Sequence, residues 1–251
     1  MIKNIIVIGS GKGGVGKSTV TVNLAVALAK KKFNVGLLDA DIYGPSIPKM
    51  LGIKKKPDVS EKKKIMPYLK YGMKSISIGN MIPDNGAVIW RGAMASSAIK
   101  QLYNDVDWGE LDYLFIDLPP GTGDAQISLA QSVPIGGAII VTTPQKVSLQ
   151  DSRRGLAMFK QLGVPLLGVV ENMSAFIPPD QPDKTYEIFG SGGGQLLAEE
   201  NQLPLLAKIP IEMPVVRESN LGIPIAISDP NTNSSIKFKE LALLIKNKFK
   251  S

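Results

Sequence analysis

The most direct chemistry in this sequence lies in one short run: Gly11, Lys12, Gly13, Gly14, Val15, Gly16, Lys17, Ser18 and Thr19. The run satisfies GxxxxGK[ST]. It follows an apolar stretch that reads as a strand and opens one that reads as a helix, the context in which this pattern forms a phosphate-binding loop. Glycines let the backbone curl until successive N–H groups point inward, and the helix start adds positive potential at the same place. The loop predicts a triphosphate with Mg²⁺. ATP is expected over GTP, because the chain carries no NKxD guanine motif. Lys17 is expected to reach the β- and γ-phosphates, and the Ser18 hydroxyl to coordinate Mg²⁺.

Acids at the ends of later apolar runs extend this chemistry. Leu38 is followed by Asp39 and, two residues on, by Asp41. An acid at the carboxyl end of a strand beside the loop can hold an attacking water, so Asp41 is expected as base or water-orienter on the Mg²⁺ side. Asp39 reads as a structural or Mg²⁺-side partner. Leu114-Phe-Ile-Asp117 has the Walker B form, apolar residues and then an acid, and Asp117 is expected to hold Mg²⁺ through water. The residues that follow include Gly121 and Gly123, whose N–H groups could sense a γ-phosphate as a switch does. Asn172 ends a late apolar run. Its amide can pair with adenine, which presents both a donor and an acceptor, and Pro210 and Ile211, on the next loop, could flank the base; a structural role in a turn is the other reading.

These residues need a scaffold that brings strand ends together. Residues 5–8, 35–38, 113–116, 138–141 and 166–170 read as strands buried on both faces, with helical patterns at 17–31, 93–103, 124–131, 148–162 and 191–201. That alternation predicts an α/β fold, a doubly wound and mostly parallel sheet of the P-loop NTPase kind, with ligands beyond the carboxyl ends of its strands. The length, 251 residues, suits one large domain over residues 1–251. Residues 53–67, rich in Lys and Pro, read as a mobile loop, and 174–184, with Pro178, Pro179 and Pro182, as irregular. Over residues 235–250, Ile236, Leu241, Leu244, Ile245 and Phe249 form a stripe among lysines. It suits a helix packed on its own domain or one lying on a membrane.

Composition narrows the function. Lys and Arg total 29 against 22 acids, a net charge of +7, concentrated at Lys54 to Lys56, at Lys62 to Lys64 and in the tail. Such clusters can attract nucleic acid or anionic lipid. No aromatics interleave with the first two clusters and only Phe249 lies within the third, and no nucleic-acid partner is expected. The chain has neither Cys nor His. That excludes disulfides, thiolate zinc sites, catalytic thiols, imidazole bases and self-supplied iron–sulfur ligation, and leaves oxygen-held Mg²⁺ as the natural metal. No apolar run approaches the ~20 residues of a membrane span. The opening residues read as a first strand rather than a leader, so stable membrane insertion is not expected and a cytoplasmic location is.

Lys12 directly after Gly11 resembles the deviant Walker A subclass, to which nitrogenase iron protein and the MinD/ParA proteins belong. That resemblance implies a homodimer with nucleotide at its interface, across which Lys12 contacts the partner's nucleotide, and it gives Asp41 the water-holding position. The runs Asp39-Ala-Asp-Ile-Tyr-Gly-Pro-Ser46, Trp90-Arg-Gly92, Trp108-Gly-Glu-Leu-Asp112, Asp117-Leu-Pro-Pro-Gly-Thr-Gly-Asp124, Thr143-Pro-Gln145, Glu171-Asn-Met-Ser174 and Ile188-Phe-Gly190 together resemble the Mrp/ApbC family. Its members are described as iron–sulfur cluster carriers with ATPase activity. The resemblance implies slow ATP hydrolysis and iron–sulfur assembly or client proteins as partners. Many members carry a C-x-x-C pair shortly after the Glu-Asn-Met-Ser block, and many bacterial ones a small domain before the P-loop domain. Here the first stretch reads Phe176-Ile-Pro-Pro-Asp-Gln-Pro182, so a cluster carried on this chain's own ligands is not expected. The alternatives are a MinD/ParA-like positioning ATPase that binds membrane or DNA when ATP-dimerised, and an ATP-using synthetase or kinase on a small acid.

Overall fold

The computed structural model describes residues 1–81, 92–181 and 183–249; Trp90 and Arg91 of the Trp-Arg-Gly block, Pro182 and Lys250 lie outside them. The chain begins β1 (Ile2–Ser10), α1 (Lys17–Ala29), β2 (Val35–Asp39), α2 (Ile47–Met50), β3 (Tyr68–Lys70), β4 (Met73–Ser77), α3 (Gly92–Asp105), β5 (Leu111–Asp117) and α4 (Asp124–Ser132). It continues through β6 (Gly137–Thr142), α5 (Lys146–Gln161), β7 (Leu166–Phe176), α6 (Gly193–Glu200), β8 (Leu205–Ile211), α7 (Met213–Asn220), α8 (Ile225–Ser228) and α9 (Asn233–Lys248). The strands form one sheet in the order β3-β4-β2-β5-β1-β6-β7-β8, parallel throughout except where β3 pairs antiparallel with β4. β1 lies between β5 and β6. The chain's path turns from one side of β1 to the other there, and the crevice beyond the strand ends at such a switch point is where ligands bind in these sheets.

The uninterrupted apolar strands follow from burial on both faces. In β1, Ile6 and Ile8 enter the layer under α1 and α9, while Ile5 and Val7 enter the opposite layer under α3, α4, α5 and α6. Tyr113 and Phe115 alternate with Leu114 and Ile116 in the same way along β5. α1 is buried on nearly every side, since α8 and α9 cover the face that the sheet does not. α9 turns Phe238, Leu241, Ala242 and Ile245 into this core and leaves Ile236 and Leu244 exposed. The terminal stripe is therefore a packing face, displaced from the one read in the sequence. Among the described residues no helix is long and apolar enough to cross a membrane.

Two irregular stretches are more ordered than their composition suggests. Ile65 is buried, accepts from the N–H of Asp107 and donates to Asp105, and the Tyr68 hydroxyl donates to the carbonyl of Lys55. These bonds tie down a segment expected to be a mobile loop. β7 runs on through Ser174 to Phe176, where the backbone pairs antiparallel with Tyr186.

Candidate functional site

The glycine-rich run forms a turn between β1 and α1. Gly14 and Gly16 have φ of 80° and 77°, a left-handed conformation that glycine adopts without steric cost. A Cβ at Gly16 would lie 2.2 Å from the Asn172 amide nitrogen, and one at Gly11 would lie 2.1 Å from the backbone of Asp151 in α5. The turn borders a cleft of about 230 Å³ with Lys12, Lys17, Ser18, Thr19, Asp41 and Gly44 on its walls.

Asp117 organises the floor of this cleft from the carboxyl end of β5. The fully buried carboxylate takes the Lys17 ammonium at 2.8 Å, the Ser18 hydroxyl at 2.5 Å and the Thr21 hydroxyl at 2.7 Å. Lys17, itself buried, lies 3.6 Å from Asp41, whose other oxygen accepts from the N–H of Gly44 at 3.3 Å. Burial pushes the Asp41 carboxyl above its ordinary value against the pull of Lys17. Asp39, fully buried beside it, is pushed up to about 7, first by burial and then by the charge of Asp117. Its oxygens accept from the Asp41 and Ile47 N–H groups and from the Ser77 hydroxyl. Asp39 thus ties β4 and α2 to the loop bearing Asp41 and sits one layer behind the cleft wall.

The other expected residues fall into three groups. Lys12 is half-exposed on the rim and forms no ion pair with any described residue. Asn172, nearly buried, lines an apolar pocket of about 100 Å³ with Pro210, Ile211, Gly16 and Thr19. Its amide donates to the carbonyl of Val15 at 2.8 Å, so one of its hydrogens already supports the P-loop. Pro210 and Ile211 are the last residues of β8 and not loop residues, because β8 continues pairing with β7 as far as Phe176. Gly121, expected to offer its N–H to a phosphate, instead donates to the carbonyl of Ser10 at 2.9 Å.

Several side chains at the site escaped the sequence reading. Thr21 lies four residues after Lys17, one helical turn, and that spacing was the available signal. Gln126 donates to the carbonyls of Pro119, Pro120 and Gly121 from inside α4, bracing the segment after Asp117. Glu171 caps α6 through the N–H of Gly194, and Glu212 caps α9 through those of Asn233 and Ser234. Nothing in the sequence near these three marks their roles. Among the described residues, no group of three or more His, Cys, Asp or Glu side chains is gathered to hold a metal ion.

Residues 1–246 match the family described as ParA, NUBPL iron-transfer P-loop NTPase. The chain belongs to this family. Members similar to it include the iron-sulfur cluster carrier protein of Synechocystis sp., 52% identical over 98% of this chain and 71% of that protein. The iron-sulfur cluster transfer protein NUBPL of Mus musculus is 44% identical over 100% of this chain and 79% of its own length. A nucleotide-binding protein from Archaeoglobus fulgidus, solved in complex with ADP, superposes with a TM-score of 0.77 at 40% identity, covering 88% of this chain and 87% of that one. MinD from Pyrococcus horikoshii shares the fold, with a TM-score of 0.72 at 24% identity over 99% of this chain and 97% of its own. As a family member with an intact P-loop, the chain is a nucleotide-binding P-loop NTPase.

Proposed function

We propose that this chain is a dimeric ATP-driven switch of the cytoplasm that hydrolyses ATP slowly and serves iron–sulfur protein maturation without cluster ligands of its own. The observation that carries the nucleotide half is the buried Asp117 carboxylate, which gathers Lys17 and Ser18 at the mouth of the glycine turn. A carboxylate and a hydroxyl side by side in a phosphate cleft suit Mg²⁺, a hard cation that takes oxygen ligands. Ser18 and Asp117 would hold it, and bound there it supplies charge neutralisation to the phosphates. The P-loop amides and Lys17 bind the β- and γ-phosphates, which requires Lys17 to turn away from Asp117. Asp41 orients the attacking water from the cleft wall. Lys12, whose ammonium forms no ion pair with a described residue, is available to reach the nucleotide of a facing copy, where a cation supplied in trans can raise the rate by roughly 10³-fold.

The iron–sulfur half rests on family membership and on the names of relatives such as those of Synechocystis and mouse. An iron–sulfur cluster does not fit this chain's own residues, which include neither thiolate nor imidazole. The cluster is then cargo held by other proteins' ligands, and the chain acts on those proteins through its nucleotide cycle. Anaerobic reconstitution followed by iron analysis, with capture of bound iron–sulfur proteins in the presence of ATP, tests this reading. Little iron per dimer and nucleotide-dependent capture are expected. Stoichiometric iron on the isolated chain, or capture indifferent to nucleotide, would overturn it. Lys17→Ala should lower ATP turnover by about 10²-fold or more.

A further inference from the structure

A second cavity, about 770 Å³, opens beside the nucleotide cleft between the end of α2, the 3₁₀ turn Ile78–Asn80 that follows β4, and the turn after α7. Its walls are fixed. The Tyr71 hydroxyl donates to the carbonyl of Gly222 at 2.7 Å on one side, and Tyr68 holds the Lys55 carbonyl on the other. Lys49, Lys54, Lys55 and Lys56 line it, no described Asp or Glu does, and none of the four lysines forms an ion pair with a described residue. Like charges gathered on the walls of one concavity reinforce each other's field and concentrate anions there.

Asn80, on the same wall, is nine-tenths buried; its amide donates to the carbonyl of Lys55 at 3.4 Å, and its Oδ1 accepts no hydrogen bond. That oxygen is closed off from the cavity, so Asn80 closes the wall and offers no contact to a molecule inside. Pro45, Ile53 and Leu221 add apolar surface, and the cavity is of a size that encloses small molecules. We propose that this pocket binds a small polyanion bearing phosphate or carboxylate groups.

The two clefts share a wall. Gly44 borders the phosphate cleft and Pro45 the basic one, and Asp39 anchors both the start of α2 and the end of β4 behind them. A ligand in the basic pocket therefore bears on the loop that carries Asp41.

Equilibrium dialysis of the full chain with labelled citrate and, separately, labelled pyrophosphate tests the proposal. ADP and Mg²⁺ are kept saturating so that the P-loop is occupied. Saturable binding of at least one anion is expected, weakened about tenfold or more in the Lys54→Ala/Lys55→Ala/Lys56→Ala variant and falling with added salt. Binding confined to citrate identifies carboxylate chemistry, and binding confined to pyrophosphate identifies phosphate chemistry. No saturable binding of either, or equal binding by the triple variant, overturns the site.

Discussion

At Asp117 a carboxylate removed from water is surrounded by one ammonium and two hydroxyls, and of these partners Thr21 is the one that does not line the phosphate cleft. Thr21→Val keeps the shape and removes the donor. It should cost about 1–3 kcal/mol, the penalty for leaving a buried acceptor unsatisfied, read as a lower urea midpoint at unchanged slope. Asp39 makes a prediction of opposite character. Its folded value, pushed up to about 7, lies above the 3.8 of the free side chain, so between these values the folded chain keeps a proton that the unfolded chain has lost. Stability should then fall as pH rises through that window and level off above it. Urea unfolding from about pH 4 to about pH 8, without Mg²⁺ or nucleotide, should show this slope in the wild type and lose it in Asp39→Asn; parallel curves would refute it. At this scale the sequence displayed the groups carried by the P-loop and by strand ends, because motif and position coincide there. Thr21 and Gln126 were hidden because their partners are 96 and 5 to 7 residues away and no local pattern records the pairing.

Among the elements, those buried on both sides were the legible ones. β1 and β5 are continuous apolar runs because each face meets its own helical layer. β4, with Lys74, Ser75 and Ser77, and β8, with Lys208 and Pro210, lie nearer the sheet's edges, where polar residues are tolerated and the pattern blurs. α9 separates two readings of one amphipathic stripe, since only a helix packed on α1 buries Phe238 completely or nearly so. Phe238→Ala should cost about 3–5 kcal/mol in urea unfolding. A loss within about 0.5 kcal/mol would be the mark of a surface position and would contradict the packing.

For the whole molecule, the proposed dimer gives turnover a dependence on concentration. ATP hydrolysis per chain should rise with protein concentration and then saturate, while Lys12→Ala lowers the plateau and leaves nucleotide affinity of the single chain largely intact. Turnover per chain that is constant under dilution would argue for a site complete within one copy. The family was readable because its blocks span the chain, whereas the basic cavity was not, since α2, the turn that follows β4 and the end of α7 meet there from distant parts of the sequence. The contacts around the glycine turn also close on themselves. Gly11 abuts α5 at Asp151, Arg153 of α5 grips Glu200 of α6, Glu171 holds the start of α6, and its neighbour Asn172 returns to Val15. A closed chain of struts has no free end. It shares a load among the glycine turn, α5, α6 and β7, so a change at any one of these members is felt by the other three.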